Sequence, residues 1–227
     1  EATMLRTHLK RGTEKWLHLT NLRCRSQSAA GKQCWKCSSS DINNTFFCAS
    51  CGVLRETAEK EDYFELLKLK KDFNIDTLKL VQNYRHIQSM IHPDKFAQKS
   101  EHEKAIALEW SSLVNKAYKT LSKSIERGKY LLTLNGVTIS EDNTSLDKEF
   151  LLAMMDLNES VEDAETADEL KNIASNVSVN IEHLNLKLVQ HFKANDLDGA
   201  KEAIIRLKYM NNIERTVKEK LLHLNLK

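Results

Sequence analysis

With one proline and six glycines in 227 residues, this chain has few places to turn. All-β architectures need many turns, and turns draw on Gly and Pro. The composition therefore calls for long helices joined by few connections. A hydrophobic fraction of 41% can supply a core. The length allows one large domain or two or three small ones. No run approaches the ~18 apolar residues of a spanning helix, so no membrane partner is expected. A net charge of +2 offers no whole-chain attraction to nucleic acid.

The charge is unevenly placed. Residues 1–33 carry seven Lys/Arg against two acids, which leaves residues 34–227 at −3. The segment ends in a Ser/Ala/Gly-containing stretch, and Leu5, Leu9, Trp16 and Leu19 share one face if residues 4–19 are helical. A basic amphipathic leader of this kind is what mitochondrial import recognises. Residues 1–33 are read as a targeting leader, with the mitochondrial matrix as destination and a cytoplasmic pool left open.

Four of the five cysteines form two knuckles, Cys34-x2-Cys37 and Cys48-x2-Cys51, ten residues apart. Such a pair supplies four thiolates in tetrahedral arrangement, which suits Zn²⁺. Gly52 lets the backbone turn so that amides can point at sulfur. Phe46 and Phe47 are expected to cover the metal on one side and Trp35 on the other. The alternatives are two redox Cys-x2-Cys pairs or a rubredoxin-like iron, but no βαβ setting follows to suit a redox pair. Residues 34–55 are read as a small four-cysteine domain, zinc-ribbon-like, holding one structural zinc. Its only cations are Lys36 and Arg55, too few for a phosphate-binding face.

From residue 62 the pattern is helical. Asp62 can cap a short helix bearing Phe64, Leu66 and Leu67, and Asp76 can cap a second that runs to about Ile91. On the second, Leu80, Tyr84, Ile87 and Ile91 fall in one sector while Lys79, Gln82, Arg85, His86 and Ser89 spread over the other. Pro93, the only proline, stops it. A third helix resumes near Ser100 or His102 and carries Ala107, Trp110, Val114, Ala117, Tyr118 and Leu121. The hairpin exposes His92, Asp94 and Lys95 in its loop. The elements Asp62-Tyr63-Phe64-Glu65-Leu66-Leu67, Tyr84-Arg85-His86-Ile87-Gln88, His92-Pro93-Asp94-Lys95-Phe96 and Asn115-Lys116-Ala117-Tyr118 together resemble a J domain over residues 62–134. The resemblance implies docking to a DnaK-type chaperone and stimulation of its ATPase, with His92, Pro93, Asp94, Lys79 and Arg85 at the contact.

After Asn135-Gly136, a helix stop, a loop at 137–145 leads to three or four helices, at roughly 146–165, 167–194, 197–210 and 211–224. In the first, Leu146, Phe150, Met154, Leu157 and Val161 make one apolar stripe, while Leu151, Leu152 and Met155 lie across the wheel among acids. Residues 140–169 hold eleven acids against Lys148 alone. An apolar patch rimmed by charge marks an interaction surface. Tyr209 lies off the core stripe of a later helix. A J domain followed by Arg127-x2-Tyr130-Leu131-Leu132-x-Leu134-x-Gly136 and an acidic three-helix bundle resembles the HscB family of iron–sulfur cluster biogenesis. That resemblance implies that residues 141–227 bind an IscU-class scaffold protein, through Leu151, Leu152, Met155, Asp156, Glu159 and Tyr209, and deliver it to the mitochondrial chaperone to promote cluster transfer. The four-cysteine domain matches animal-like members. Asp156 and Asp163 stand where the family often has Glu, and Ser160 is neutral.

The expected fold is all-α, a J-domain hairpin plus a C-terminal three-helix bundle behind a small four-cysteine domain. A zinc-ribbon nucleic-acid protein is the competing reading, and it lacks a basic patch beyond the leader. No nucleophile–base pair, phosphate loop or paired carboxylates stand out, so no enzyme is expected. Self-association is left open.

Overall fold

The computed structural model describes residues 33–40, 46–57, 61–139 and 147–225. The leader, apart from Gln33, lies outside them, as do the inter-knuckle residues 41–45 and Leu146. Among the described residues seven α-helices follow in order: α1 (Tyr63–Leu66), α2 (Thr77–Ile91), α3 (Glu101–Ser122), α4 (Ser124–Leu134), α5 (Lys148–Asp163), α6 (Ala167–Lys193) and α7 (Leu197–Asn225), with a 3₁₀ turn at Pro93–Phe96. The one β feature among the described residues is an isolated antiparallel bridge between Phe47 and Leu54.

Side-chain caps set the helix starts. Asp62 accepts from the Phe64 N–H, Asp76 from Lys79, Ser100 from Glu103, and Asp147 from Phe150. Thr166 and Glu169 complete a reciprocal capping box at α6. At the end of α4, Gly136 takes φ +77° and the Val137 N–H reaches back to the Leu132 carbonyl, so the expected stop is present.

The sequence leaves three or four helices open here, and α7 runs unbroken from Leu197 to Asn225, which makes the bundle three-helical. Asn211 and Asn212 are weak helix formers, yet Met210, Ile213 and Val217 are all buried at helical spacing. Packing of that stripe outweighs local propensity. The first bundle helix begins at Lys148, because the Asp147 side chain caps it.

The antiparallel pair α6–α7 is shared by two cores. At one end Leu188, Ala200, Ala203, Ile204 and Leu207 join Phe64 of α1, Ile87 and Trp110 of the α2–α3 hairpin and Leu132 of α4. At the other, Leu170, Val177, Ile213 and Val217 join Met154 and Val161 of α5. The α2–α3 loop and α5 thus belong to opposite ends of one long support.

The junction is built by residues that sequence reasoning used only as a pattern. Arg127 is buried and donates to the carbonyls of Phe73 (2.8 Å) and Leu121 (2.6 Å). Its guanidinium lies 4.9 Å over the Phe73 ring, which stacks on Phe192 of α6 at 5.2 Å. Gly128 lets α4 approach α7 closely: a Cβ there would stand 2.8 Å from Ile204 Cδ1. The Tyr130 hydroxyl accepts from the Tyr63 N–H, and its ring stacks on Tyr63 at 4.4 Å.

Candidate docking sites and metal centre

The loop between α2 and α3 is held from beneath. Ile91 and Phe96, on either side of it, are buried. Behind them the helices are clamped by polar contacts. Tyr84 Oη donates to Asn115 Oδ1 (2.8 Å), Gln88 Nε2 donates to the same oxygen (2.9 Å), and Tyr84 stacks on Tyr118 at 4.2 Å. Satisfied, partly buried networks of this kind fix one arrangement. His92 is extended, Pro93 opens the 3₁₀ turn, and His92 Nδ1 accepts from the Asp94 N–H while lying 3.4 Å from the Asp94 carboxylate. The Asp94 side chain is 90% exposed and that of His92 is 53%. A rigid loop therefore presents one imidazole and one carboxylate to solvent.

Lys79, Arg85 and His86 are exposed along α2, as their wheel positions predict. Leu78 is 75% exposed and was not singled out from the sequence. Its place seven residues before Arg85, on the polar side of the wheel, was the available signal.

On α5, Leu152 and Met155 are 59% and 63% exposed, Asp156 and Glu159 are exposed, and Leu151 is half-buried. Glu162 and Asp163 extend the acidic surroundings. Tyr209 of α7 is half-buried, and its ring meets Phe150 edge-on at 5.9 Å. The expected core stripe divides: Met154 and Val161 are buried, while Phe150 and Leu157 are only half-buried.

The sulfur atoms of Cys34, Cys37, Cys48 and Cys51 all lie within 4.8 Å of one another. Cys34–Cys51 and Cys37–Cys48 are each separated by 3.6 Å. Zn–S bonds of about 2.3 Å in a tetrahedron require sulfurs about 3.8 Å apart, so this donor set fits a single zinc-sized ion. The two knuckles repeat one backbone pattern. The Ser38 N–H donates to the Cys34 carbonyl and the Gly52 N–H to that of Cys48, both at 2.8 Å. Ser38 and Gly52 both take positive φ, at 57° and 71°. The Cys51 N–H brings Cys48 down to about 6, against the opposing effect of burial. At Cys34, burial pushes the thiol up, but the N–H groups of Cys37 and Lys36 outweigh it and leave it below its ordinary value. Cys51 is favoured as thiolate by the Val53 N–H, yet burial and the three neighbouring sulfurs push it up to about 12. Such a tetrad retains protons that a divalent cation would displace.

Two expected covers of the metal are placed differently. Phe46 turns away into the main core, edge-on to Trp110 at 5.0 Å, and Phe47 packs against the same core, while Val53 packs with Cys34 and Cys48. Trp35 does pack beside the cysteines, and its other contacts are an indole bond to the Leu54 carbonyl and an edge contact with His102 at 4.6 Å. Trp110 Nε1 also donates to the Arg55 carbonyl at 2.6 Å. The knob is thereby docked on α3, which is why Phe46 is needed in the core.

Comparison with known proteins adds to this geometry. The sequence pattern of the HSCB C-terminal oligomerisation domain matches residues 146–218. The human iron-sulfur cluster co-chaperone protein HscB is 35% identical over 206 residues, covering 88% of each chain. The crystal structure of human co-chaperone protein HscB superposes with a TM-score of 0.79 at 35% identity, covering 83% of this chain and 98% of that one. The chaperone HscB from Vibrio cholerae gives a TM-score of 0.68 at 28% identity, covering 72% of this chain and 99% of that one.

Proposed function

The chain belongs to the HscB family of iron–sulfur cluster co-chaperones, and on that premise we propose that it stimulates the ATPase of a DnaK-type chaperone and delivers an IscU-class scaffold protein to it. The observation that carries the reading is the separation of two unlike faces on one support. An anchored loop offers His92 and Asp94 beside a cationic helix, and α5, at the other end of α6–α7, offers exposed Leu152 and Met155 among acids. Pro93 fixes the loop. The Asp94 carboxylate pairs with an arginine of the chaperone, while Lys79 and Arg85 steer the approach to an acidic groove. Leu151, Leu152, Met155 and Tyr209 anchor the scaffold protein, and Asp156 and Glu159 face its cations. ATP hydrolysis belongs to the chaperone; the relatives are named co-chaperones.

Residues 34–55 form the four-cysteine domain, 62–134 the J domain and 141–227 the scaffold-binding bundle. Cys34, Cys37, Cys48 and Cys51 hold one zinc ion, whose role is structural because every ligand is a protein thiolate. When bound, it contributes folding energy to the knob. The match to an oligomerisation domain supports self-association through the bundle. The basic leader supports a place in the mitochondrial matrix.

The test is steady-state ATP hydrolysis by a mitochondrial DnaK-type chaperone with scaffold protein present. The parent should stimulate and His92→Gln should not, while both bind the scaffold protein equally. Equal stimulation by the variant would sink the assignment of the trigger to the loop.

A further inference from the structure

Between α5, α6 and α7 lies a cavity of about 570 Å³. Phe150, Met154 and Leu157 of α5 line one wall, with Leu184 of α6 and Met210 of α7 opposite. Its volume is that of a cleft that buries a ligand, and well beyond a packing defect. The wall is held open. Arg206 stacks 4.7 Å over the Phe150 ring and is tied to both Asp147 and Glu202, which pins the first turn of α5. Phe150 and Leu157 thus stay half-exposed, an unfavourable arrangement for apolar surface unless something covers it.

The charge of the rim narrows the occupant. Asp156 stands at the α5 edge of the cavity and belongs equally to the exposed patch of Leu152 and Met155. Across the opening, α6 exposes His183 and Lys187, one turn apart, and neither forms an ion pair among the described residues. Arg206 is already matched by two carboxylates. A partner lying on α5 must present cations to Asp156, Glu159, Glu162 and Asp163. Its continuation over the edge meets the opposite demand, an apolar side chain for the cavity and a carboxylate for Lys187.

We infer that this cavity receives a segment of the scaffold protein, an apolar side chain seated against Phe150 and Leu157 with a neighbouring carboxylate paired to Lys187. The inference rests on the reading of α5 as the scaffold-binding face and extends that face around the helix edge. It makes scaffold binding two-sided, acid outward on α5 and base inward on α6, and so fixes the direction in which the partner lies.

The experiment is a titration of the scaffold protein into the full chain by calorimetry, with four variants beside the parent. Lys187→Glu reverses the rim charge at an exposed position. Lys193→Glu makes the same change of net charge on α6 outside the cavity. Ala153→Phe, from an exposed site on the rim, plugs the opening. Leu152→Ala with Met155→Ala removes the outer face. The cavity assignment requires Lys187→Glu and Ala153→Phe each to weaken binding about five- to tenfold, and Lys193→Glu to leave it within twofold. Unchanged affinity for Lys187→Glu and Ala153→Phe, with the outer-face variant weakened, overturns the cavity assignment and leaves the scaffold reading intact. Unchanged affinity for all four overturns both. Decanoate bound in the cavity without competing with the scaffold protein would assign the space to a small amphiphile and also overturn the proposal.

Discussion

Arg127→Met should cost more stability than any exposed substitution, because one guanidinium closes three elements at once. It bonds the carbonyls of Phe73, ahead of α2, and Leu121, at the end of α3, and lies over a ring that stacks on Phe192 of α6. Hydrogen bonds from a charged donor contribute about 1.5–3 kcal/mol each, and the ring contact adds about 0.5–1 kcal/mol. Methionine keeps most of the length, so little cavity opens. It also removes a buried charge whose desolvation opposes folding, which returns part of the loss; burial already holds the Arg127 pKa below its ordinary value. The net expectation is a loss of about 2–3 kcal/mol, or about 4–12 °C in Tm for a chain of this length. Urea and thermal unfolding of the parent, Arg127→Met and Arg127→Lys measure it. Lysine should recover little, since a single ammonium cannot span both carbonyls and stack. The folded Arg127→Met variant should still bind scaffold protein within twofold, because no docking residue is touched. A loss below about 0.5 kcal/mol would refute the assignment of the junction to this side chain.

Three further outcomes follow from local geometry. Ser38→Gly should stabilise the metal-loaded knob by about 1 kcal/mol, because a non-glycine residue at φ 57° carries the left-handed penalty that Gly52 avoids in the matching knuckle; competition with a chromogenic zinc chelator reads it. Gly128→Ala should destabilise by about 1 kcal/mol through overpacking on Ile204, and adding Ile204→Val, which deletes the Cδ1 atom in the way, should turn the same alanine favourable through its helix propensity. The Phe150 N–H first, and Arg206 beside it, hold Asp147 below the usual carboxylate range, and the Thr166 N–H does so for Glu169. Both are depressed in the folded state, so their capping contribution is fully present above the unfolded carboxylate values of about 4–4.5 and is lost as pH falls through the lower folded values; hydrogen exchange showing either helix start fraying at about pH 6 would contradict this.

The helices were legible where their signals are local. Asp62, Asp76 and Ser100 announce starts, Pro93 and Asn135-Gly136 announce stops, and the burial of Leu80, Ile87 and Ile91 opposite Lys79 and Arg85 follows from the 3.6 period. The four metal ligands were legible because their spacing is itself the geometry. Other features depend on contacts that no single window of sequence contains. Phe46 reads as a metal cover until Trp110, far along the chain, is seen to require it. Whether residues 197–224 form one helix or two stays open in the sequence until Ile213 and Val217 are seen to bury against α5 and α6. Arg127 reads as a pattern residue until the distant Phe73 carbonyl joins the nearby Leu121 carbonyl on its guanidinium. The cavity beside α5 is bordered by the contact of Arg206 with Phe150, which spans separate helices. The outer face of α5 was visible from its wheel, while the inner edge that turns it into a two-sided site was not.

On the proposed function, one molecule must carry both docking faces. The most direct test is chaperone ATP hydrolysis at limiting scaffold concentration with His92→Gln and the Leu152→Ala, Met155→Ala variant added together. Each lacks one face and retains the other. The mixture should stay far below the parent, because no single chain joins loop to scaffold. Full stimulation by the mixture would contradict it, since the two faces would then act without being linked.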